Sequence, residues 1–198
     1  MLFLITPMTV DSTLDYRIRL VGVLPLIFFI AQGVHYWRIG ELGNLLWMCN
    51  IGNLLLAIGL FTSNRRLMRT AIIWTIPGLL IWFLYVVLTW GVFFTSTLAH
   101  VGGLLVGMFV LRLIGMDRNT WLFAFGWYLL VQLLSRLITA PNLNVNLAHT
   151  IQPGWETRFG AYWQFWLVLT LVTATALWGL ELFFRRVWPV RMAEVPDL

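Results

Sequence analysis

Long apolar stretches alternate with short polar segments along almost the whole chain. A helix that spans a bilayer needs roughly 20 mainly apolar residues. Between Arg69 and Arg112 the chain has 42 residues without a charge, and one helix of that length would extend about 63 Å, twice a bilayer core. This stretch must therefore turn, and we predict the turn near Trp90 and Gly91. The pattern predicts six helices, near residues 18–37, 42–62, 70–90, 94–114, 121–140 and 161–184.

These helices predict an all-α fold, a polytopic transmembrane helix bundle that forms a single domain over residues 1–198. Composition agrees, because the chain is 60% hydrophobic and 11% charged, whereas soluble domains carry about 25% charged residues. Twelve Trp residues fit the membrane–water boundary, where Trp is enriched. The net charge of +5 comes from Arg residues scattered between apolar stretches, so we predict no nucleic-acid partner.

The distribution of Arg predicts how the bundle is oriented. With the N-terminus inside, the outer segments hold two Arg residues, Arg38 and Arg158, and Arg136 lies within the fifth helix. Cytoplasmic segments are enriched in Arg and Lys, which favours this orientation. We therefore expect both termini in the cytoplasm and a multi-pass protein of the cell membrane, as in the inner membrane of bacteria. The inner segments hold ten Arg residues: Arg17, Arg19, Arg65, Arg66, Arg69, Arg112, Arg118, Arg185, Arg186 and Arg191.

Unusual polar residues gather in the outer half of the predicted bundle, and the inner half has almost nothing comparable. Polar groups in a membrane usually face the protein interior, so this clustering predicts a cavity that opens outward. The connection at 141–160 is longer than a turn requires, which is typical of functional loops. The polar set comprises His35, Glu41, Asn44, Cys49, Asn50, Asn53, Ser96, His100, Arg136, Asn142, Asn144, Asn146 and His149.

Two of these residues form a candidate catalytic pair. Cys49 and His100 lie at similar estimated depths, roughly 10 and 8 Å into their helices. A thiol beside an imidazole is a nucleophile–base arrangement, so we expect the two side chains within about 4–5 Å of each other. Asn50 or Asn53 would donate to an oxyanion or orient the His. We predict catalytic roles for these four and assign neither a metal nor a cofactor.

Four further residues are candidates for binding the substrate. Arg136 would bind a phosphate group at the outer interface, because guanidinium groups match phosphate geometry. Asn144, Asn146 and His149 lie in the outer loop beside it.

Each of these residues also has a structural interpretation. A Cys in a helix can serve as a small buried hydrophobe. His100, Asn50 and Asn53 can bond across helices, and Arg136 can extend its head group to the interface. Gly103 and Gly107 follow His100 on one helix face and allow a close neighbour, so we expect His100 to face another helix rather than lipid.

A short segment resembles the histidine helix of rhomboid proteases. It reads Ala99-His-Val-Gly-Gly-Leu-Leu-Val-Gly107. That family also has a serine in a Gly-x-Ser-Gly turn, and Ser12, Ser63, Ser96 and Ser135 do not stand in such a pattern.

A broader resemblance covers most of the chain. Leu46-Trp-Met-Cys-Asn-Ile-Gly-Asn-Leu-Leu-Leu56 is followed by Thr95-Ser-Thr-Leu-Ala-His100 and by Asn144-Val-Asn146. This order resembles poorly characterised bacterial multi-helix integral membrane proteins. It is more distantly similar to the membrane family that includes a phospholipid-remodelling acyltransferase. That resemblance implies a catalytic Cys49 and His100. The chain departs from the family at Met48, where a His is expected, and lacks its aromatic Asn-Tyr pattern in the outer loop.

Three function classes follow. The first is a lipid acyltransferase or hydrolase that uses Cys49 and His100, with membrane lipids as partners. The second is a non-catalytic structural or assembly subunit of a larger membrane protein complex. The third is a cofactor binder or transporter, which would need ligands at matching depth or an acidic residue within a helix.

Overall fold

In a computed structural model, the residues that the structure describes form a bundle of six helices. The structure describes residues 15–190 except 90 and 92. Within those residues there is no β-strand, so the predicted all-α fold is confirmed. Five of these six helices are long and apolar enough to cross a membrane, and the second is shorter. The helices are α1 (Tyr16–Arg38), α2 (Met48–Phe61), α3 (Arg65–Thr89), α4 (Phe94–Ile114), α5 (Thr120–Ile138) and α6 (Tyr162–Val187).

The predicted turn in the uncharged stretch is present between α3 and α4. The first helix ends at Thr89 and the second begins at Phe94, and Trp90 itself lies outside the described residues. Because consecutive helices run in opposite directions, the bundle has two distinct ends. We call the one with residues 42–47 and 139–161 the loop end, and the one with residues 61–69 and 114–120 the arginine end.

The predicted single helix 42–62 is wrong in one respect, because it is broken at Trp47. A 3₁₀ helix, Leu42–Leu46, precedes the break, and Trp47 is extended with φ −53° and ψ 135°. The 14 residues of α2 extend about 21 Å, which is short of a bilayer core. The 3₁₀ helix adds about 10 Å, so the two pieces together have the length of one crossing.

The core forms where α2, α3 and α4 meet. Leu56, Ile72 and Leu111, one from each of these helices, are fully buried. A glycine lets two of these helices approach closely, since a Cβ at Gly107 of α4 would lie 3.1 Å from the Ile72 side chain of α3. This close approach between α3 and α4 holds the centre of the bundle, where small residues typically pack membrane helices.

The peripheral helices α1 and α6 present apolar side chains outward. In the apolar stretch of 18 residues in each helix, only 17% of the residues are buried within the chain. Ile27, Ile30 and Val172 are at least half exposed. A surface of this kind suits lipid rather than water.

Buried charge at the arginine end corrects the expectation that polar side chains gather in the outer half alone. Arg69 has a side chain that is 8% exposed. Its guanidinium donates to the carbonyl oxygens of Gly115 at 2.7 Å and Ile114 at 3.1 Å, and pairs with Asp117 at 3.3 Å. The charge therefore neutralises orphan carbonyls where α4 ends.

Glu181 caps the start of α5, as Arg69 caps the end of α4. It is 3% exposed and accepts the backbone N–H groups of Trp121 at 2.9 Å and Asn119 at 3.3 Å. Arg185 lies 3.7 Å away on the same helix, so the carboxylate is also paired. The sequence pattern missed both residues because Arg69 and Glu181 cap helices that are distant in sequence.

Candidate site at the loop end of the bundle

Asn146 holds the broken helix together. Its Oδ1 accepts the Met48 N–H at 3.0 Å, and its Nδ2 donates to the Leu46 carbonyl at 2.8 Å. These two backbone groups flank Trp47, where helical hydrogen bonding stops. A second bond from Nδ2 reaches Ser135 Oγ at 2.9 Å and ties the break to α5. An unwound segment in a membrane needs such partners, because lipid offers none.

The rest of the loop at residues 139–161 is ordered around Asn144 and His149. Asn144 Oδ1 accepts the N–H groups of His149 and Thr150, both at 3.0 Å. His149 Nε2 lies 3.2 Å from the Ser135 carbonyl and 3.2 Å from Thr139 Oγ1. The predicted binding residues Asn144, Asn146 and His149 thus bond to the chain itself, and they place the loop against α5.

Asn53 connects the helices that carry Cys49 and His100. It is 1% exposed, and its Nδ2 donates to the Cys49 carbonyl at 3.0 Å and to the Ala99 carbonyl at 2.9 Å. Both donor hydrogens of the amide are used in these bonds. Asn53 is therefore not free to donate to an oxyanion, and its two bonds connect α2 to the segment that carries His100.

The backbone at His100 is wound more loosely than an α-helix. Leu98–Gly102 form a π-helical segment within α4, and His100 is 8% exposed. Such segments leave a carbonyl displaced from the helical ladder, and they are frequent at functional sites. Asn53 satisfies one of these carbonyls, that of Ala99.

The imidazole of His100 is fixed in one tautomer. Its Nδ1 lies 2.8 Å from the Ser96 carbonyl oxygen, and a carbonyl only accepts, so Nδ1 carries the hydrogen. The lone pair of the ring is then on Nε2. The ring stacks on Trp82 of α3, with centroids 5.2 Å apart and planes inclined by 15°. This is the arrangement that a general base requires, a proton acceptor oriented through its other nitrogen.

Cys49 lies in the first turn of α2 and packs on α3. A Cβ at Gly78 would lie 3.2 Å from Cys49 Cβ, so the glycine makes room for the cysteine. The N–H groups of Cys49 and Asn50 lie beside the sulfur, as at the start of any helix that carries a Cys there. The thiol is free of disulfide bonding.

Cys49 and His100 share one stripe of α3. Gly78, against Cys49, and Trp82, against His100, are four residues apart, which places them on the same helix face about 6 Å apart along the axis. Sequence analysis singled out Cys49 and His100 as a candidate pair but not Gly78 and Trp82, against which they pack. The four-residue spacing of Gly78 and Trp82 was visible in the sequence, but many other pairs of residues in the same apolar helix have that spacing.

The remaining predicted residues are divided between two places. Asn50 is 1% exposed and donates from Nδ2 to the Asn44 carbonyl at 3.1 Å, next to the helix break. Arg136 instead lines an open groove between α5 and α6, together with Tyr162 and Trp166. His100, Asn50 and Asn53 do not line that groove.

No family model, curated protein or solved structure matches this chain. Across residues 15–89, 91 and 93–190, no group of three His, Cys, Asp or Glu side chains is placed to hold a metal ion.

Proposed function

We propose that this chain is an integral membrane enzyme that transfers or hydrolyses lipid acyl groups, with Cys49 as nucleophile and His100 as base. The observation that carries the proposal is the packing of both residues on one stripe of α3, one turn apart. The tautomer of His100 supports it, because Nε2 is the nitrogen that accepts a proton. Five membrane-length helices also support it, because lipid esters are the substrates available within a bilayer.

The proposed reaction has two balanced steps. The thiol proton passes to His100 Nε2, and the Cys49 sulfur attacks the ester carbonyl of a lipid. A C–S bond forms, the ester C–O bond breaks, and the proton from His100 goes to the departing hydroxyl of the lysolipid. An acceptor hydroxyl or water then attacks the thioester, giving a new ester or a fatty acid and restoring the thiol. Burial opposes ionisation of a thiol, so transfer of its proton to a base is essential to the proposed step.

The thioester intermediate provides the test. The purified chain is incubated in vesicles with a phosphatidylcholine of defined acyl chains, and its intact mass is measured after rapid denaturation. We expect an added acyl mass at Cys49, the chain's single cysteine. Cys49→Ala removes the added mass, and His100→Ala lowers the rate of its appearance by about 10²–10⁴-fold, the usual contribution of a general base.

A matched control is available in His35. Its ring lies near the same end and packs on Tyr36 and Phe93. His35→Ala is expected to leave acylation within a few-fold of the parent chain. If the folded parent protein acquires no acyl group with phosphatidylcholine, phosphatidylethanolamine or phosphatidylglycerol as donor, the enzyme proposal is abandoned.

A subunit role is the second candidate, and α3 carries the observation that favours it. In its last turns Leu80, Ile81, Phe83 and Leu84 are all more than half exposed. At 3.6 residues per turn these four positions cover an arc of about 160°, so one broad face of this part of α3, opposite Trp82, has little packing within the chain. Another membrane protein or lipid must cover it. Native purification of the tagged chain with a stoichiometric partner, together with silent Cys49→Ala, would favour this role over catalysis.

A further inference from the structure

A groove between α5 and α6 carries chemistry that the Cys49–His100 site does not use. It has a volume of about 520 Å³ and is open on one side. Arg136 stands at its mouth, and the apolar side chains of Leu129, Leu133, Trp163 and Trp166 line the rest. We propose that this groove binds an anionic phospholipid, with the phosphate on Arg136 and an acyl chain along the apolar part.

The depth of each group matches the division of a phospholipid into head and tail. Arg136 lies two residues before the end of α5, where a head group is expected if the helix spans the membrane. Leu129 lies seven residues earlier, about 10 Å deeper. Trp163 and Trp166 begin α6 at the same end, as expected for aromatic residues at the interface. A groove that is polar at one end and apolar along the rest matches a phospholipid, which has a polar head group and apolar acyl chains.

The guanidinium of Arg136 is oriented but not neutralised. Its Nη1 donates to the Ala148 carbonyl at 2.6 Å, and its carbon lies 5.2 Å from the centre of the Tyr162 ring. Both contacts hold a cation without removing its charge. In the part of the chain that the structure describes, the two ion pairs involve Arg69 and Arg185, and Arg136 belongs to neither. An exposed cation at a membrane interface is stabilised by an anion, and phosphate accepts the remaining donors of the fork.

The walls of the groove are held in place by hydrogen bonds. Trp166 Nε1 donates to Gln132 Oε1 at 2.7 Å, which joins α6 to α5. Tyr162 donates its hydroxyl to the Leu147 carbonyl at 3.0 Å, which joins α6 to the outer loop. The groove is therefore formed before the lipid arrives, and binding does not require these side chains to be ordered anew.

This inference does not depend on the proposed acyl chemistry, because none of the groove residues belongs to the Cys49–His100 site. The test is native mass spectrometry of the chain in detergent with two lipids of identical acyl chains, phosphatidylglycerol and phosphatidylcholine. Both lipids carry a phosphate, but the quaternary ammonium of phosphatidylcholine cancels its charge and opposes the Arg136 cation, so we expect the parent chain to retain phosphatidylglycerol about tenfold more tightly. Arg136→Gln removes that preference, and Arg158→Gln, an exposed arginine of the same loop end, preserves it.

Several outcomes would overturn the proposal. Equal retention of the two lipids by the parent chain shows that charge is not recognised, and a preference that survives in folded Arg136→Gln assigns it elsewhere. Displacement of the lipid by inorganic phosphate alone shows a phosphate site without a tail groove. If Arg136→Gln does not fold, Leu133→Trp serves instead, because it fills the exposed groove and leaves Arg136 in place. Phosphatidylglycerol retained by Leu133→Trp as by the parent chain contradicts the groove assignment.

Discussion

Asn53 lies so close to Gly103 that a Cβ atom at Gly103 would stand 2.5 Å from the Asn53 amide oxygen. The amide cannot move aside freely, because its nitrogen is bonded to the carbonyls of both Cys49 and Ala99. The missing side chain at Gly103 is therefore what lets one asparagine connect α2 to the π-helical part of α4.

Substitution of Gly103 tests this contact. Gly103→Ala is expected to lower the free energy of unfolding by about 1–3 kcal/mol, the usual cost of overpacking, because the methyl group displaces Asn53. Denaturant titration in detergent micelles measures the change. Gly126→Ala is the matched control, since no atom lies within 4 Å of its added Cβ, and it is expected to be neutral or stabilising. Equal effects of the two substitutions would contradict the role given to Gly103.

Removal of the Asn146 amide should destabilise the helix break at Trp47. Asn146→Gly is the informative variant, because Asn146 has a φ of 53°, which glycine adopts without strain. The Met48 N–H and the Leu46 carbonyl then lose their partner, at about 1–3 kcal/mol for each group left unsatisfied. Hydrogen exchange of the Met48 amide reports the effect directly. Unchanged protection at Met48 would show that Asn146 does not hold the break.

The guanidinium of Arg69 should be required at the arginine end. Arg69→Gln cannot reach the carbonyls of both Ile114 and Gly115 and leaves Asp117 without its partner. We expect a loss of about 2–4 kcal/mol in the free energy of unfolding, somewhat less than for a fully buried ion pair because the Asp117 side chain is 58% exposed. Arg69→Lys is expected to restore only part of the lost stability, because the lysine ammonium lacks the planar set of donors of a guanidinium. Arg112→Gln, at an exposed position of α4, is the control and should change stability by less than about 0.5 kcal/mol.

Glu181 should act as the cap of α5. Glu181→Ala removes the acceptor of the Trp121 and Asn119 amides and is expected to cost about 1–2 kcal/mol, as for loss of a helix cap. Glu181→Gln keeps an oxygen acceptor and loses the charge, so it should cost less. Thermal unfolding followed by tryptophan fluorescence compares the two. A glutamine variant as unstable as the alanine variant would assign the effect to charge alone.

The topology prediction concerns the two termini. Arg19 donates to the Phe61 carbonyl, and the Met116 amide donates to the Trp188 carbonyl, so both ends of the described chain lie at the arginine end. The excess of Arg there predicts that this end faces the cytoplasm. A C-terminal green fluorescent protein fusion should therefore fluoresce, and an alkaline phosphatase fusion should be inactive. The opposite pair of results would reverse the orientation.

Hydrophobic patterning by itself determined the number of helices and their approximate positions. Length and charge set these features, because a span of apolar residues must cross the bilayer once and a charge-free run of 42 residues must turn. Patterning also selected Cys49 and His100, since reactive side chains in an apolar helix are rare enough to stand out. These inferences use only composition and position along the chain.

Tertiary structure alone decided which polar groups meet. The break at Trp47 depends on Asn146, about 100 residues later, and the helix caps at the arginine end depend on Arg69 and Glu181, from other helices. The common stripe of Gly78 and Trp82 depends on how α2 and α4 pack against α3. Local periodicity carries no information about partners distant in sequence, because hydrogen bonds between helices are selected by close packing in three dimensions.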